Sequence, residues 1–167
     1  LFSGSMNETS NVDLLAEAAL QAAGELPQVS WLFAGSGRLA DAVRAAAQTH
    51  DTIRYLGALP RDAMRPIFAA ADVGIISRAP IPVEQLVYPG KLFDYLASGL
   101  PVLTNHVGQP SVVVDEADCG VVLRGPRTAA SFVQGIRQLL ALSSDERVAM
   151  GARGQAWLLR EMNAFQL

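Results

Sequence analysis

The sequence predicts an α/β fold: a doubly wound, mostly parallel sheet of about six strands with helices on both faces. Three observations carry that prediction. Short β-rich runs alternate with longer helical segments along the chain, the order that right-handed crossovers build into a parallel sheet. The runs are continuously apolar, as in Trp31-Leu32-Phe33-Ala34, which is how strands covered on both faces read. Half of the 167 residues are hydrophobic, 17% are charged and mean hydropathy is +0.24. A chain of this size buries about 70% of its unfolded surface, a sizeable core without staples, and disorder is excluded.

The elements follow in order. Leu1–Ser3 opens as a strand, and Val12–Ala23 brings Leu14, Leu15, Ala18 and Ala19 to one helical face. Strand Trp31–Ala34 ends at Gly35-Ser36-Gly37, and the alanine-rich helix Leu39–Gln48 carries Asp41 in its first turn. Ile53–Leu56 is closed by Gly57, and residues 60–71 read as a helix with Met64, Ile67 and Phe68 on one face. Val73–Ser77 is a buried strand. The irregular, proline-bearing stretch Arg78–Pro89 has the length of a functional loop. Lys91–Ser98 is a helix stopped by Gly99. Strands Pro101–Thr104 and Gly120–Leu123 follow, then amphipathic helices Thr128–Leu142 and Asp145–Met162.

Thirteen basic and sixteen acidic residues leave a net charge of -3, which is no footprint for nucleic acid. The one cysteine, Cys119, precludes an internal disulfide and fits a reducing, cytoplasmic setting. No apolar run approaches the ~18–20 residues of a membrane span, and no signal-peptide pattern is visible. The opening Leu1-Phe2-Ser3-Gly4 reads as a strand already under way, so the expectation is a piece of a longer protein.

In an open parallel sheet, ligands gather beyond the carboxyl ends of the strands. The loops at that edge are Gly4–Asn11, Gly35-Ser36-Gly37, Gly57–Arg61, Ser77–Gly90 and Asn105–Gln109. Gly35-Ser36-Gly37 is either a helix-entry turn or a pocket wall, since the third glycine of a dinucleotide fingerprint is missing. Pro89-Gly90-Lys91-Leu92-Phe93-Asp94 is the stronger signal. Proline and glycine expose amides at a helix start, where the dipole favours an anion, and Lys91 adds a full charge. Asp94 stands one turn further on the same side, roughly 5–6 Å along the axis. Phosphate at the amides and a ribose diol at the carboxylate would suit that spacing; a solvated Lys91–Asp94 helix pair is the plain alternative. His106 falls in a loop after a strand, where either a ligand contact or a structural role fits, and Asp72 reads as a turn residue. No spacing of metal ligands and no nucleophile elbow is present.

The run Pro89-Gly90-Lys91-Leu92-Phe93-Asp94-Tyr95-Leu96-Ala97-Ser98-Gly99-Leu100-Pro101-Val102 resembles the donor-site segment of retaining group 1 glycosyltransferases. Those enzymes are built of two Rossmann-like halves, the GT-B fold. Phe2–Met6, Phe33–Gly37, Tyr55–Pro60 and Ala70–Val73 resemble that family's strands and loops in the same order, so the likeness spans nearly the whole chain. A lysine just before the donor helix is similar to glucuronosyltransferase-like members. The resemblance implies that residues 1–167 are a single donor-binding domain without its N-terminal acceptor domain. It implies a nucleoside-diphosphate sugar, UDP-linked, as donor and a glycan or lipid-linked acceptor, with no cofactor and no metal. Transfer would need the whole enzyme, cytoplasmic and peripheral to a membrane through the other half.

By the same resemblance, Lys91 and Glu84 are the candidate catalytic groups. Gly4, Ser5, Gly35, Gly37, Gly57 and Ala58 would line the donor from the first three strands, and Pro89, Gly90, Lys91, Leu92 and Asp94 from the donor helix. Asp94 stands where the family's second acidic residue holds the ribose, one methylene shorter than the usual glutamate. The first acidic residue would fall on Leu86, leaving Glu84 as the nearby carboxylate. Ser5 and Ser10 or Asn11 occupy the stretch of the usual basic pair, so Lys91 and the helix amides become the main positive feature. Arg78 is the group that could meet a uronate. Two other classes stay open: a nucleotide-sugar epimerase of the same architecture, and a catalytically degenerate docking module. A receiver-like domain fits poorly, because Ser5-Met6-Asn7-Glu8 and Leu56-Gly57 stand where its aspartates would be.

Overall fold

The computed structural model describes residues 1–105 and 107–164. Two three-stranded parallel sheets form. Strands β1 (Phe2–Ser3), β2 (Trp31–Ala34) and β3 (Ile53–Gly57) pair in the order β1-β2-β3. Strands β4 (Gly74–Ile76), β5 (Val102–Asn105) and β6 (Gly120–Leu123) pair as β4-β5-β6. The sheets meet where the Leu1 nitrogen donates to the Val73 carbonyl and the Ile75 amide to the Leu1 carbonyl, both at 2.8 Å. Those two bonds are one parallel bridge, so the strands lie side by side as 3-2-1-4-5-6.

Side-chain alternation along these strands divides the core into two. Phe2, Phe33, Ile53, Ile75 and Leu103 face one cluster; Leu1, Ile76 and Val102 face the other. Helices α1 (Val12–Glu25), α2 (Ala40–Thr49) and α6 (Ala129–Leu140) cover the first face. Helices α3 (Arg61–Ala70), α4 (Gly90–Ala97), α5 (Gln109–Ala117) and α7 (Ser144–Ala164) belong to the second. The division follows from handedness. The chain winds outward from β1 to β3 and then returns past β1 to β4, and right-handed crossovers running the other way must cross the other face.

Helix α1 packs closely because its buried stripe is Val12, Leu15, Ala16, Ala18, Ala19, Ala22 and Ala23, mostly small side chains. Cys119 is fully buried beside α7. Helix α5 departs from the sequence analysis, which assigns nothing over residues 110–119. Pro110 and the β-branched run Val112-Val113-Val114 weaken the helical signal there. Proline is harmless in a first turn, where its missing N–H would be unbonded anyway, and burial of Val113 and Val114 does the rest. The stretch Arg78–Pro89 holds a 3-10 turn at Pro82–Gln85.

The junction between β1 and β4 is held by Tyr95 of α4. The Ser3 amide donates to the Tyr95 hydroxyl at 2.9 Å and the Ser3 hydroxyl does so at 3.1 Å. The Tyr95 hydroxyl in turn reaches the Leu1 carbonyl at 3.3 Å. Its ring fits because Gly74 has no side chain: a Cβ there would overlap the ring. Burial pushes the phenol strongly upward, so it stays protonated. Replacing Tyr95→Phe keeps the ring and strands the buried Ser3 amide. We expect a loss of about 1–3 kcal/mol, read as a lower denaturation midpoint in urea with an unchanged slope.

Candidate functional site

A cleft of about 1070 Å³ opens at the carboxyl ends of the strands, at the place where strand order reverses. That is where open α/β sheets hold ligands. One wall is α4. Gly90, Lys91, Asp94, Ala97 and Ser98 line the cleft, a set spaced as one face of a helix. Leu92, Tyr95 and Leu96 lie on the opposite face and are fully buried. The floor is the end of β1 with Gly4 and Ser5, together with Gly35 and Arg78. The far wall is Ala58, Leu59 and the exposed start of α3, with Arg61, Asp62, Arg65 and Phe68.

The start of α4 is electrostatically unusual. Pro89 precedes it with extended backbone and no side-chain cap, and its first turn holds no acid. Helices α1, α2, α3 and α7 each carry an acid there. Here a cation, Lys91, sits at the positive end of the dipole, an unfavourable placement for an isolated helix. The Lys91 ammonium lies 4.0 Å from the centroid of the Phe2 ring, which returns part of that cost as a cation–π contact. Gly4 keeps the space open, because a Cβ there would stand 3.2 Å from the lysine Cε. Burial, helped by the Arg78 charge and opposed by Glu84, brings the Lys91 ammonium down to about 7.

Behind Lys91, Arg78 and Glu84 form a buried ion pair, each side chain 9% exposed. The Asn105 side chain clamps the Arg78 backbone from both sides. It accepts from the Arg78 amide at 2.9 Å and donates to the Arg78 carbonyl at 2.7 Å.

The family model for glycosyl transferases group 1 matches residues 1–142. The chain belongs to that family. Among solved structures, the C-terminal domain of LpcC from Francisella tularensis, a group 1 family protein, aligns with TM-score 0.74 at 14% identity, over 96% of this chain and 85% of that one. WaaG, a glycosyltransferase of lipopolysaccharide biosynthesis, gives TM-score 0.70 at 19% identity, over 94% of this chain and 42% of that one. The pneumococcal O-GlcNAc transferase GtfA, solved with UDP and GlcNAc, gives 0.72 at 18%, over 94% and 31%. This chain therefore spans less than half the length of those two transferases. No curated protein sequence matches it.

Within this group 1 domain, the structure brings Gly4, Ser5, Gly35, Ala58, Pro89, Gly90, Lys91 and Asp94 to the cleft. Leu92 is instead a core residue, because two positions beyond Gly90 the helix has turned to its other side. Gly35 and Gly37 are explained by their own neighbours. A Cβ on Gly35 would overlap the Gly4 carbonyl, and one on Gly37 the Met6 carbonyl. That close approach lets the Gly4 amide bond the Ala34 carbonyl and the Met6 amide the Ser36 carbonyl, each at 2.8 Å. Gly57 is required by its φ of +71°; neither it nor Gly37 is among the residues lining the cleft. Glu84 is likewise not among them, being turned onto Arg78. His106 lies outside the described residues.

Arg61 closes the edge loop Gly57–Arg61 expected from sequence, but neither it nor Arg65 stands among the expected site residues. Their only signal is the four-residue spacing just after the third strand's loop. The Lys91 charge carries a testable pH dependence. An anion seated against Lys91 would bind the ammonium form, present below about 7 and lost above it. With UDP-glucose as probe, whose diphosphate keeps its charge over this range, affinity should fall roughly tenfold from pH 6 to pH 8. Calorimetry at the two values checks it, with proton uptake on binding at the higher pH.

Proposed function

We propose that this chain is the donor-binding half of a group 1 glycosyltransferase and that its cleft takes a nucleoside-diphosphate sugar. The observation that carries the reading is the start of α4. There, uncapped amides and a half-buried Lys91 meet the cleft one turn before Asp94, at the reversal of strand order. Helix amides and an ammonium group bind pyrophosphate, and a carboxylate accepts from a ribose diol. The nucleobase would then lie toward Ala58 and Leu59 on the far wall. UDP is the expected nucleotide, in keeping with the UDP bound in the similar GtfA structure.

Glycosyl transfer needs stabilisation of the departing nucleoside diphosphate as charge grows on its bridging oxygen. Fixed amides and Lys91 supply that without rearrangement, the general electrostatic route to a lower barrier. The acceptor, a glycan or lipid-linked sugar, would be presented by an N-terminal domain of the same protein. No helix among the described residues is long and apolar enough to cross a membrane.

Asp94→Ala should weaken UDP binding by about ten- to a hundredfold, the worth of hydrogen bonds to a charged group. It should leave inorganic pyrophosphate binding nearly unchanged. Titration calorimetry on the intact protein measures both. Equal UDP affinity in the variant would remove Asp94 from the site and with it the reading of this helix face.

A further inference from the structure

Lys91 is backed by a buried charge cluster that the donor-site reading does not require. Arg78 is 7% exposed, lines the cleft, and its Nε has no hydrogen-bond partner among the described residues. Among the described residues its guanidinium is opposed by a single carboxylate, that of Glu84, itself 7% exposed. Two cations, Arg78 and Lys91, therefore share one buried carboxylate at the floor of a cleft, and whenever Lys91 is protonated an excess positive charge is left in a partly desolvated place. Excess charge in such a place is costly unless something neutralises it.

The construction around this pair is rigid. Asn105, 1% exposed at the end of β5, fixes the Arg78 backbone through two bonds. The backbone of Glu84 and Gln85 packs on Gly108, where any Cβ would overlap the Glu84 carbonyl. The carboxylate thus holds the guanidinium at the floor and does not itself face the cleft.

Resting on the donor-site reading, we propose that Arg78 is the second cation of a two-point diphosphate clamp with Lys91, and that Glu84 is its positioning residue. Arg78 lines the cleft floor close enough to Lys91 to act on its charge, and takes the place of basic groups that the loop after β1 lacks. The ligand class is a pyrophosphate with at least two negative charges, enough to neutralise both cations once Glu84 has balanced one.

The charged groups around Lys91 make the test directional. From β1 it meets Phe2 and Gly4, neither titratable; after β4 stands Arg78; in the 3-10 turn, Glu84; on its own helix, Asp94. Across the cleft are Arg61, Asp62 and Arg65. The double variant Arg78→Met/Glu84→Gln removes both charges of the pair, so no unpaired buried ion is left to unfold the protein. It should melt near the wild type, bind uridine equally, and bind UDP and inorganic pyrophosphate about ten- to a hundredfold more weakly.

Single variants separate positioning from packing. In Arg78→Met, the fall of UDP-glucose affinity with rising pH should move to higher pH, since a cation beside Lys91 is gone. In Glu84→Gln it should move to lower pH, since the neighbouring anion is gone. UDP affinity in the folded double variant equal to wild type, or pH profiles that do not separate, would overturn the clamp while leaving the donor site standing. Wild-type protein that binds neither UDP nor pyrophosphate would overturn both.

Discussion

The cleft exists because the sheet comes apart between β1 and β4, and the Tyr95 hydroxyl is what makes that separation tolerable. The two strands share one bridge at Leu1 and then diverge, which leaves the Ser3 amide facing no strand partner. A buried amide without an acceptor costs about 1–3 kcal/mol. Tyr95 supplies the acceptor from the helix that also forms the cleft wall. One side chain therefore closes the hydrogen-bond account of the opening and fixes the depth and rotation of α4. Gly74 is the complementary half of this arrangement, since any larger residue would push the ring out of the junction. Once Tyr95 is seated, the helical repeat delivers Gly90, Lys91 and Asp94 to the open side with no further adjustment.

Local electrostatic preferences are broken on that same wall. A cation occupies the positive end of α4, and Arg78 and Lys91 outnumber their buried counter-charge. Sites that break a local rule are where function tends to sit, because the surrounding fold must supply what the site gives up. Here the supply is visible in the Phe2 ring beneath the ammonium, the Asn105 clamp and the tightly packed Glu84 loop. An anion seated there would offset each unfavourable term at once, since it attracts both cations and the helix start. Arg78 and, below about pH 7, Lys91 are held in place before any ligand enters, which is what preorganisation means in electrostatic terms.

The layers of this fold were legible because burial on both faces writes itself into the strands as unbroken apolar runs, and glycines end them. The cleft-facing side of α4 was legible for a similar reason, the helical repeat being fixed once Gly90 starts the helix. What escaped lay where tertiary context overrides local signal. Val112–Val114 looks unlike a helix until the second core cluster is there to receive Val113 and Val114. Leu92 shares a motif with cleft-lining residues yet turns inward. Gly35 and Gly37 resemble a ligand loop, although the neighbouring backbone alone accounts for them. Arg61 and Arg65 reach the cleft only because the return crossover lays α3 beside it, a placement no short stretch of sequence encodes.

The two walls differ in how firmly the fold holds them. Helix α4 sinks Leu92, Tyr95 and Leu96 completely, whereas α3 has no buried residue and rests on half-buried Met64, Ile67 and Phe68. Phe68 meets the Tyr95 ring edge-on at a centroid distance of 6.0 Å, so the looser wall is tied to the firmer one at their common base. Few buried contacts mean a low free energy of local opening. An anion at α4 would therefore meet a surface that is already set, and the groups beyond it one with more freedom. That ordering suits a donor whose pyrophosphate needs exact charge placement and whose other parts add contact area around a fixed point.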